Sequence, residues 1–154
     1  MATIVGLISD THGLLRPEAI EALAGCSLIL HAGDVGGEAV LAALRHIAPV
    51  RAVRGNNDHG PWAEALPETD ALTVAEQRVF LTHDVHQVSI TAASGVDVVV
   101  SGHSHRPGCV TSDGVLFVNP GSAGPRRFRL PIAVARLHLG PGLRRAEMVE
   151  LTIR

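Results

Sequence analysis

Seven side chains of metal-ligating type fall into five short motifs. The motifs are Asp10-Thr11-His12, Gly33-Asp34, Gly55-Asn56-Asn57-Asp58, Thr82-His83 and Gly102-His103-Ser104-His105. The seven are Asp10, His12, Asp34, Asn56, His83, His103 and His105. Their donors are carboxylate, amide carbonyl and imidazole, with no thiolate among them. A nitrogen and oxygen set of this kind suits Mn²⁺, Fe²⁺, Zn²⁺, Ni²⁺ or Co²⁺ rather than a structural cysteine zinc site. Asp34 has two carboxylate oxygens and can bridge two cations. Two ions held ~3.5–4 Å apart clamp the attacking and leaving oxygens of a phosphoryl displacement and acidify a bridging water to hydroxide. That chemistry needs no nucleophilic side chain.

Singly, the motifs are weak signals. Gly-Asp usually marks a turn, and a lone His-x-His is more often a pair of exposed loop histidines. Their placement is what gives them weight. Asp10 follows the apolar run 3–9, Asp34 follows 27–31, Asn56 follows 50–53, His83 follows 78–82 and His103 follows 97–101. Each run is β-prone, and strands joined by helical crossovers bring their C-terminal ends to one edge, where open α/β sheets bind ligands. Residues i and i+2 of an extended chain project to one side. That spacing predicts that Asp10 and His12, and likewise His103 and His105, offer paired ligands from extended backbone.

The elements that must position these groups can be sketched from pattern. Strands are expected over 3–9, 27–31 and 50–53, with helices over 16–24 (Pro17 in its first turn) and 37–47. This β-α-β-α-β series implies parallel pairing with right-handed crossovers. A hairpin is expected over 70–75 and 78–82 around Glu76-Gln77, then a helix over 85–93 and a strand over 97–101. The chain then turns to β over 108–112, 115–118, 131–139 and 144–153, with turns at Asp113-Gly114 and Gly140-Pro141-Gly142. The 154 residues suffice for one domain with a substantial core. Aromatics are 3% against 46% apolar residues, so the core is aliphatic, as suits parallel strands buried on both faces. The formal charge of −2 and the lack of a basic block give no reason to expect an extended nucleic-acid track. Cys26 and Cys109 lack ligand-pair spacing and read as reduced thiols. No apolar run nears transmembrane length and no leader is recognisable, so the expected setting is cytoplasmic.

The motif set resembles the calcineurin-like metallophosphoesterase superfamily, and within it the small single-domain bacterial and archaeal phosphodiesterases. The resemblance covers Ile4 to about Arg126. It includes residues 9–13, 31–34, 54–58, Leu66-Pro67, residues 102–107, and Asn119-Pro120-Gly121-Ser122 followed by Pro125-Arg126. It implies an α/β fold over residues 1–154: a four-layer αββα sandwich of two mixed sheets flanked by helices. It also implies two divalent ions, Mn²⁺ foremost, with Ni²⁺, Co²⁺, Fe²⁺ or Zn²⁺ as alternatives. Asp10, His12, Asp34 and His105 would hold one ion. Asp34, Asn56, His83 and His103 would hold the other, with Asp34, Asn56 and His103 counted as catalytic too. The implied activity is phosphodiester hydrolysis of a small phosphoester or nucleotide. Alternatives are a phosphomonoesterase or nucleotidase, and a non-catalytic scaffold like the retromer subunit of the same fold. Val115–Val118 and the C-terminal hairpin could supply a homodimer edge. The chain departs from the family at Asn57, where many members carry a leaving-group histidine, and at Asp84, where glycine is usual. Asn57 cannot supply a proton in that way, which removes general-acid help typically worth ~10²–10⁴-fold. Asp84 is expected to cap a loop or helix. His59 and His86 are read as loop histidines, His31 as a hydrogen-bonded strand histidine, and Arg126 and Arg127 as either phosphate contacts or solvated surface.

Overall fold

The computed structural model describes residues 2–90 and 94–153. Its first sheet starts from three parallel strands: β1 (Thr3–Ile8), β2 (Leu28–His31) and β3 (Val50–Ala52). Helices α1 (Pro17–Ala22) and α2 (Glu38–Arg45) form the crossovers between them. A short helix, α3 (Pro61–Glu64), follows β3. The chain then builds a second sheet from β4 (Thr69–Val74), β5 (Gln77–Thr82), β6 (Val98–Val100), β7 (Gly108–Ser112) and β8 (Val115–Asn119). It returns to the first sheet with β9 (Ala133–Gly140) and β10 (Leu143–Glu150). The orders are β10-β9-β1-β2-β3 and β4-β5-β6-β8-β7, and both sheets are mixed. The expected sandwich of two mixed sheets is the observed architecture.

Alternation along the strands builds two cores. Val5, Leu7 and Leu30 of the first sheet meet Leu81, Val98 and Val118 of the second. On the opposite face, Ile8 and Ile29 pack against Leu23, Leu41 and Leu44 beneath α1 and α2. Burying each such Leu or Ile contributes ~1.5–3 kcal/mol. No helix among the described residues is long and apolar enough to cross a membrane.

Three expectations need correction. Val115–Val118 lies within β8, paired with β6 on one side and β7 on the other, so it offers no free edge. The hairpin turns at Ala75-Glu76, both at positive φ (49° and 70°), the pairing two-residue loops favour, so it lies one residue earlier than expected. The helix expected over 85–93 is reduced to one 3₁₀ turn, Val85–Gln87. Val88 is already extended, at φ −128°, and residues 91–93 of that expectation lie outside the described residues. The local composition explains this: Val85, Val88, Ile90 and Ser89 are poor helix formers. The segment joins the parallel strands β5 and β6.

Candidate metal centre

The motifs do lie at strand C-termini, but the ligands are not on extended backbone. Asp10 (φ 54°), His12 (48°), Asp34 (55°), His103 (71°) and His105 (63°) are all left-handed. Only nine non-glycine residues of the described chain have positive φ, so over half of them are predicted ligands. The i, i+2 argument therefore fails at both pairs, because β1 and β6 end before them. Convergence comes from kinks beyond the strand ends. Such conformations cost ~1–3 kcal/mol each and persist only where their surroundings over-determine them. Here those surroundings are backbone bonds that continue the β1–β2 pairing past its end. Asp10 N–H donates to Gly33 O at 3.0 Å, His12 N–H to Asp34 O at 2.9 Å and Gly13 N–H to Val35 O at 2.8 Å.

All seven predicted ligands come together. His105 Nε2 is 3.3 Å from Asp10 Oδ1, and His12 Nε2 is 3.8 Å from both Asp10 Oδ1 and Asp34 Oδ2. On the other side, His83 Nε2 is 3.3 Å from Asp34 Oδ2, 2.9 Å from Asn56 Oδ1 and 3.3 Å from His103 Nδ1. Two groups have donor atoms gathered closely enough for one ion: Asp10 with His12 and His105, and Asp10 with Asp34 and His83. Asp34 lies between His12 and His83.

The donors fit cations. Asp10 Oδ1 and His12 Nε2, 3.8 Å apart, are buried with no hydrogen-bond partner, a costly arrangement for polar atoms unless something binds them. His83 Nδ1 lies 2.7 Å from Ala32 O, so it carries the proton and turns the bare Nε2 lone pair toward Asn56 and Asp34. A ligating imidazole is commonly fixed by such a bond from its other nitrogen. Burial favours a neutral carboxyl at Asp10, yet the imidazole of His105 beside it and the Ser9 hydroxyl outweigh this and hold it below its ordinary range. At Asp34 burial is likewise overcome, by His83 and the Asn57 N–H, and the carboxyl is held low. Burial opposes charge on His83 as well, but Asp34 and Asp10 raise its affinity for a proton. The centre is a concentrated negative site that a proton or a metal ion would neutralise.

Asp58 escaped the sequence reading, whereas His31 and Asp84 take the hydrogen-bonded and capping roles expected of them. Asp58 is buried and accepts from Val35 N–H (3.1 Å), Gly36 N–H (3.0 Å) and Gly55 N–H (2.9 Å), tying the Asp34 loop to the Asn56 loop. Its signal lay in the Gly-Asn-Asn-Asp motif, of which only Asn56 is read as a ligand. Asn57 donates to Asp34 through its backbone (2.9 Å) and its amide (3.2 Å). His31 is fully buried. Thr11 Oγ1 donates to Val35 O at 2.7 Å, so at 2.9 Å it must accept from His31 Nε2–H, which leaves Nδ1 to accept Gly33 N–H at 3.1 Å. A neutral ring is thereby enforced, and burial pushes its pKa down to about 4. Asn119 donates to Gly102 O (3.0 Å) and Ser104 Oγ (3.1 Å), and Ser122 to Asp10 O (3.0 Å). These bonds tie residues 119–122 to the loops that carry His103 and Asp10. Asp84 caps the 3₁₀ turn through His86 N–H at 3.0 Å, and its other oxygen lies 3.8 Å from His103 Nε2. Asn56 and His103 are exposed and open onto a cleft of about 570 Å³ that His59, Arg54, Glu68 and Gln87 also line. His86 is not part of this lining.

A two-sheet sandwich with this donor set at its strand ends has the make-up of a metallophosphoesterase. The sequence profile described as the calcineurin-like phosphoesterase superfamily domain matches residues 4–141, and the chain belongs to that superfamily. A probable metallophosphoesterase of Methanothermobacter thermautotrophicus is 36% identical over 141 residues, covering 83% of this chain and 81% of that protein. The phosphodiesterase MJ0936 of Methanocaldococcus jannaschii is 30% identical over 136 residues, covering 76% and 82%. In fold, the crystal structure of Chaetomium thermophilum Vps29 superposes with a TM-score of 0.78 at 21% identity, covering 97% of each chain.

Proposed function

We propose that this chain, acting as one domain, is a dinuclear metal-dependent phosphodiesterase for a small phosphodiester or nucleotide. The observation that carries the reading is the pair of buried, partnerless donor atoms on Asp10 and His12, beside the crowded lone pairs of His83 and Asn56. Asp10, His12, Asp34 and His105 would hold one ion, and Asp34, Asn56, His83 and His103 the other. With Mn²⁺ as the first candidate, the pair would clamp the phosphate and acidify a water for attack on phosphorus.

The remaining steps belong to the protein. Asn57 holds both oxygens of Asp34 in place, so the shared carboxylate is oriented before substrate arrives. Ser9 and the His103 N–H fix Asp10 Oδ2 at 2.6 and 3.1 Å. Asn57 has no proton to give, and its amide faces Asp34 rather than a leaving group. Protonation of the departing oxygen therefore falls to water or to His59, the cleft imidazole outside the ligand set. This favours diesters with good leaving groups.

Metal-stripped protein should hydrolyse bis-p-nitrophenyl phosphate once Mn²⁺, Ni²⁺ or Co²⁺ is restored, and more efficiently than p-nitrophenyl phosphate. Asp34→Asn should lower kcat at least ~100-fold, as expected when a group orienting the reacting centre is lost. Higher kcat/KM on the monoester would make it a phosphomonoesterase. An inert protein that binds two ions and retains a stable protein partner would make it a scaffold, the alternative reading on a fold that Vps29 shares.

A further inference from the structure

All thirteen cationic side chains of this chain are arginine, and three of them fall within Arg126-Arg127-Phe128-Arg129. Elsewhere Arg45 pairs with Glu38, Arg51 with Asp70, Arg54 with Glu68 and Arg144 with Asp97. Arg126, Arg127 and Arg129 are exposed and have no carboxylate partner among the described residues. The residue between them is anomalous. Leu130 N–H donates to Arg127 O at 3.0 Å, closing a tight turn with Phe128 at its first central position. Phe128 has φ 53° there, a conformation that turns reserve for glycine and that a bulky residue rarely adopts. Phe128 is 90% exposed. Neither packing nor turn geometry accounts for a phenylalanine at this position.

The turn is anchored to the metal centre. Its neck is closed by Ala133 N–H donating to Ser122 O at 3.0 Å. Ser122 Oγ donates to Asp10 O and Ala123 N–H to Ser9 O, both at 3.0 Å. Gly124 lies against Thr11, between two ligands, and Arg16 holds Gly124 O at 3.2 Å. From Gly124 to Phe128 the chain spans at most ~14 Å. A phosphodiester has two arms: the cleft is lined by Asn56, His83 and His103, and the cationic turn is tethered through Gly124 beside Thr11, between Asp10 and His12.

Resting on the phosphodiesterase reading, we propose that residues 126–129 form a binding rim for the arm beyond the scissile phosphate, and that this arm is a nucleotide. The base would stack on Phe128, and a further phosphate would be held by Arg126, Arg127 and Arg129. The test is calorimetric binding of a 5′-phosphorylated deoxyadenosine dinucleotide to the metal-free full chain. Phe128→Ala should weaken binding about tenfold, in the range of a lost base–aromatic stack. R126Q/R127Q/R129Q should weaken it at least as much and flatten its salt dependence. Arg145→Gln, which removes an exposed arginine on β10, should bind as wild type. With metal restored, the ratio of kcat/KM for the dinucleotide over bis-p-nitrophenyl phosphate should fall about tenfold in both rim variants. No binding by wild type, or wild-type affinity in both rim variants, overturns the rim. So does Phe128-dependent binding to anionic phospholipid vesicles in place of the dinucleotide. Absence of bis-p-nitrophenyl phosphate turnover with every metal overturns the phosphodiesterase reading separately, since the calorimetry needs neither metal nor turnover.

Discussion

His31 shows how a side chain three residues from Asp34 can serve the site without touching a ligand atom. Its two nitrogens are committed, one as donor to Thr11 and one as acceptor from Gly33, so a second proton has nowhere to go. The pKa of about 4 against an ordinary 6.5 has a definite sign for stability. The unfolded chain binds the proton more tightly, so the contribution is complete above about pH 6.5 and is lost as pH falls toward 4. The loss is about 3 kcal/mol at ~1.4 kcal/mol per pKa unit. Asp10 and Asp34, held low, act below that window, and His83, held high, acts above it. Urea unfolding of the metal-free protein should therefore become easier between pH 6.5 and 4. The His31 ring resonances in an NMR titration should stay those of a neutral imidazole down to about pH 5.

At the scale of elements, the site depends on loops approaching more closely than side chains normally permit. A Cβ on Gly102 would collide with Ser9 Oγ and with Asp10 Oδ2, the oxygen that Ser9 holds. Gly102→Ala should displace the Asp10 carboxylate and cost about 10–100-fold in Mn²⁺ affinity, as losses of a ligand's supporting contacts do. Calorimetric titration of the variant would show it. The motif Gly-His-Ser-His was legible as ligands, but the need for its glycine was not, because the atoms it clears come from a strand some ninety residues earlier. The same limit hid Asp58, whose three bonds cross between loops. Strands β1, β2 and β6 were legible because their aliphatic runs are buried on both faces. The segment after Asp84 was misread because it contains apolar residues at helical spacing, although β-branching disfavours a helix there.

For the whole molecule, the order of the motifs along the chain carried the architecture: parallel strands first, then a hairpin and an antiparallel return. What the order could not carry was the left-handed backbone at five ligands, since only tertiary hydrogen bonds select it. Two buried carboxylates facing three histidines should make the metal-free fold less stable than the loaded one. Mn²⁺ at about a hundred times its Kd adds ~2.7 kcal/mol. At ~2–4 °C per kcal/mol for a chain of this size, Tm should rise by about 5–10 °C. A thermal melt with and without EDTA reads this directly, and Asp34→Asn should blunt the increment.

The left-handed ligand positions carry one more consequence. Their kinks are fixed by backbone bonds such as Asp10 N–H to Gly33 O and His12 N–H to Asp34 O, so the backbone itself sets where the donors sit. Loading then requires little refolding, and an ion can leave and another enter while the loops keep their shape. A rigid cradle of nitrogen and oxygen atoms cannot select strongly by adapting itself to one ionic radius. The identity of the resident metal thus becomes a matter of which divalent ion the surroundings supply.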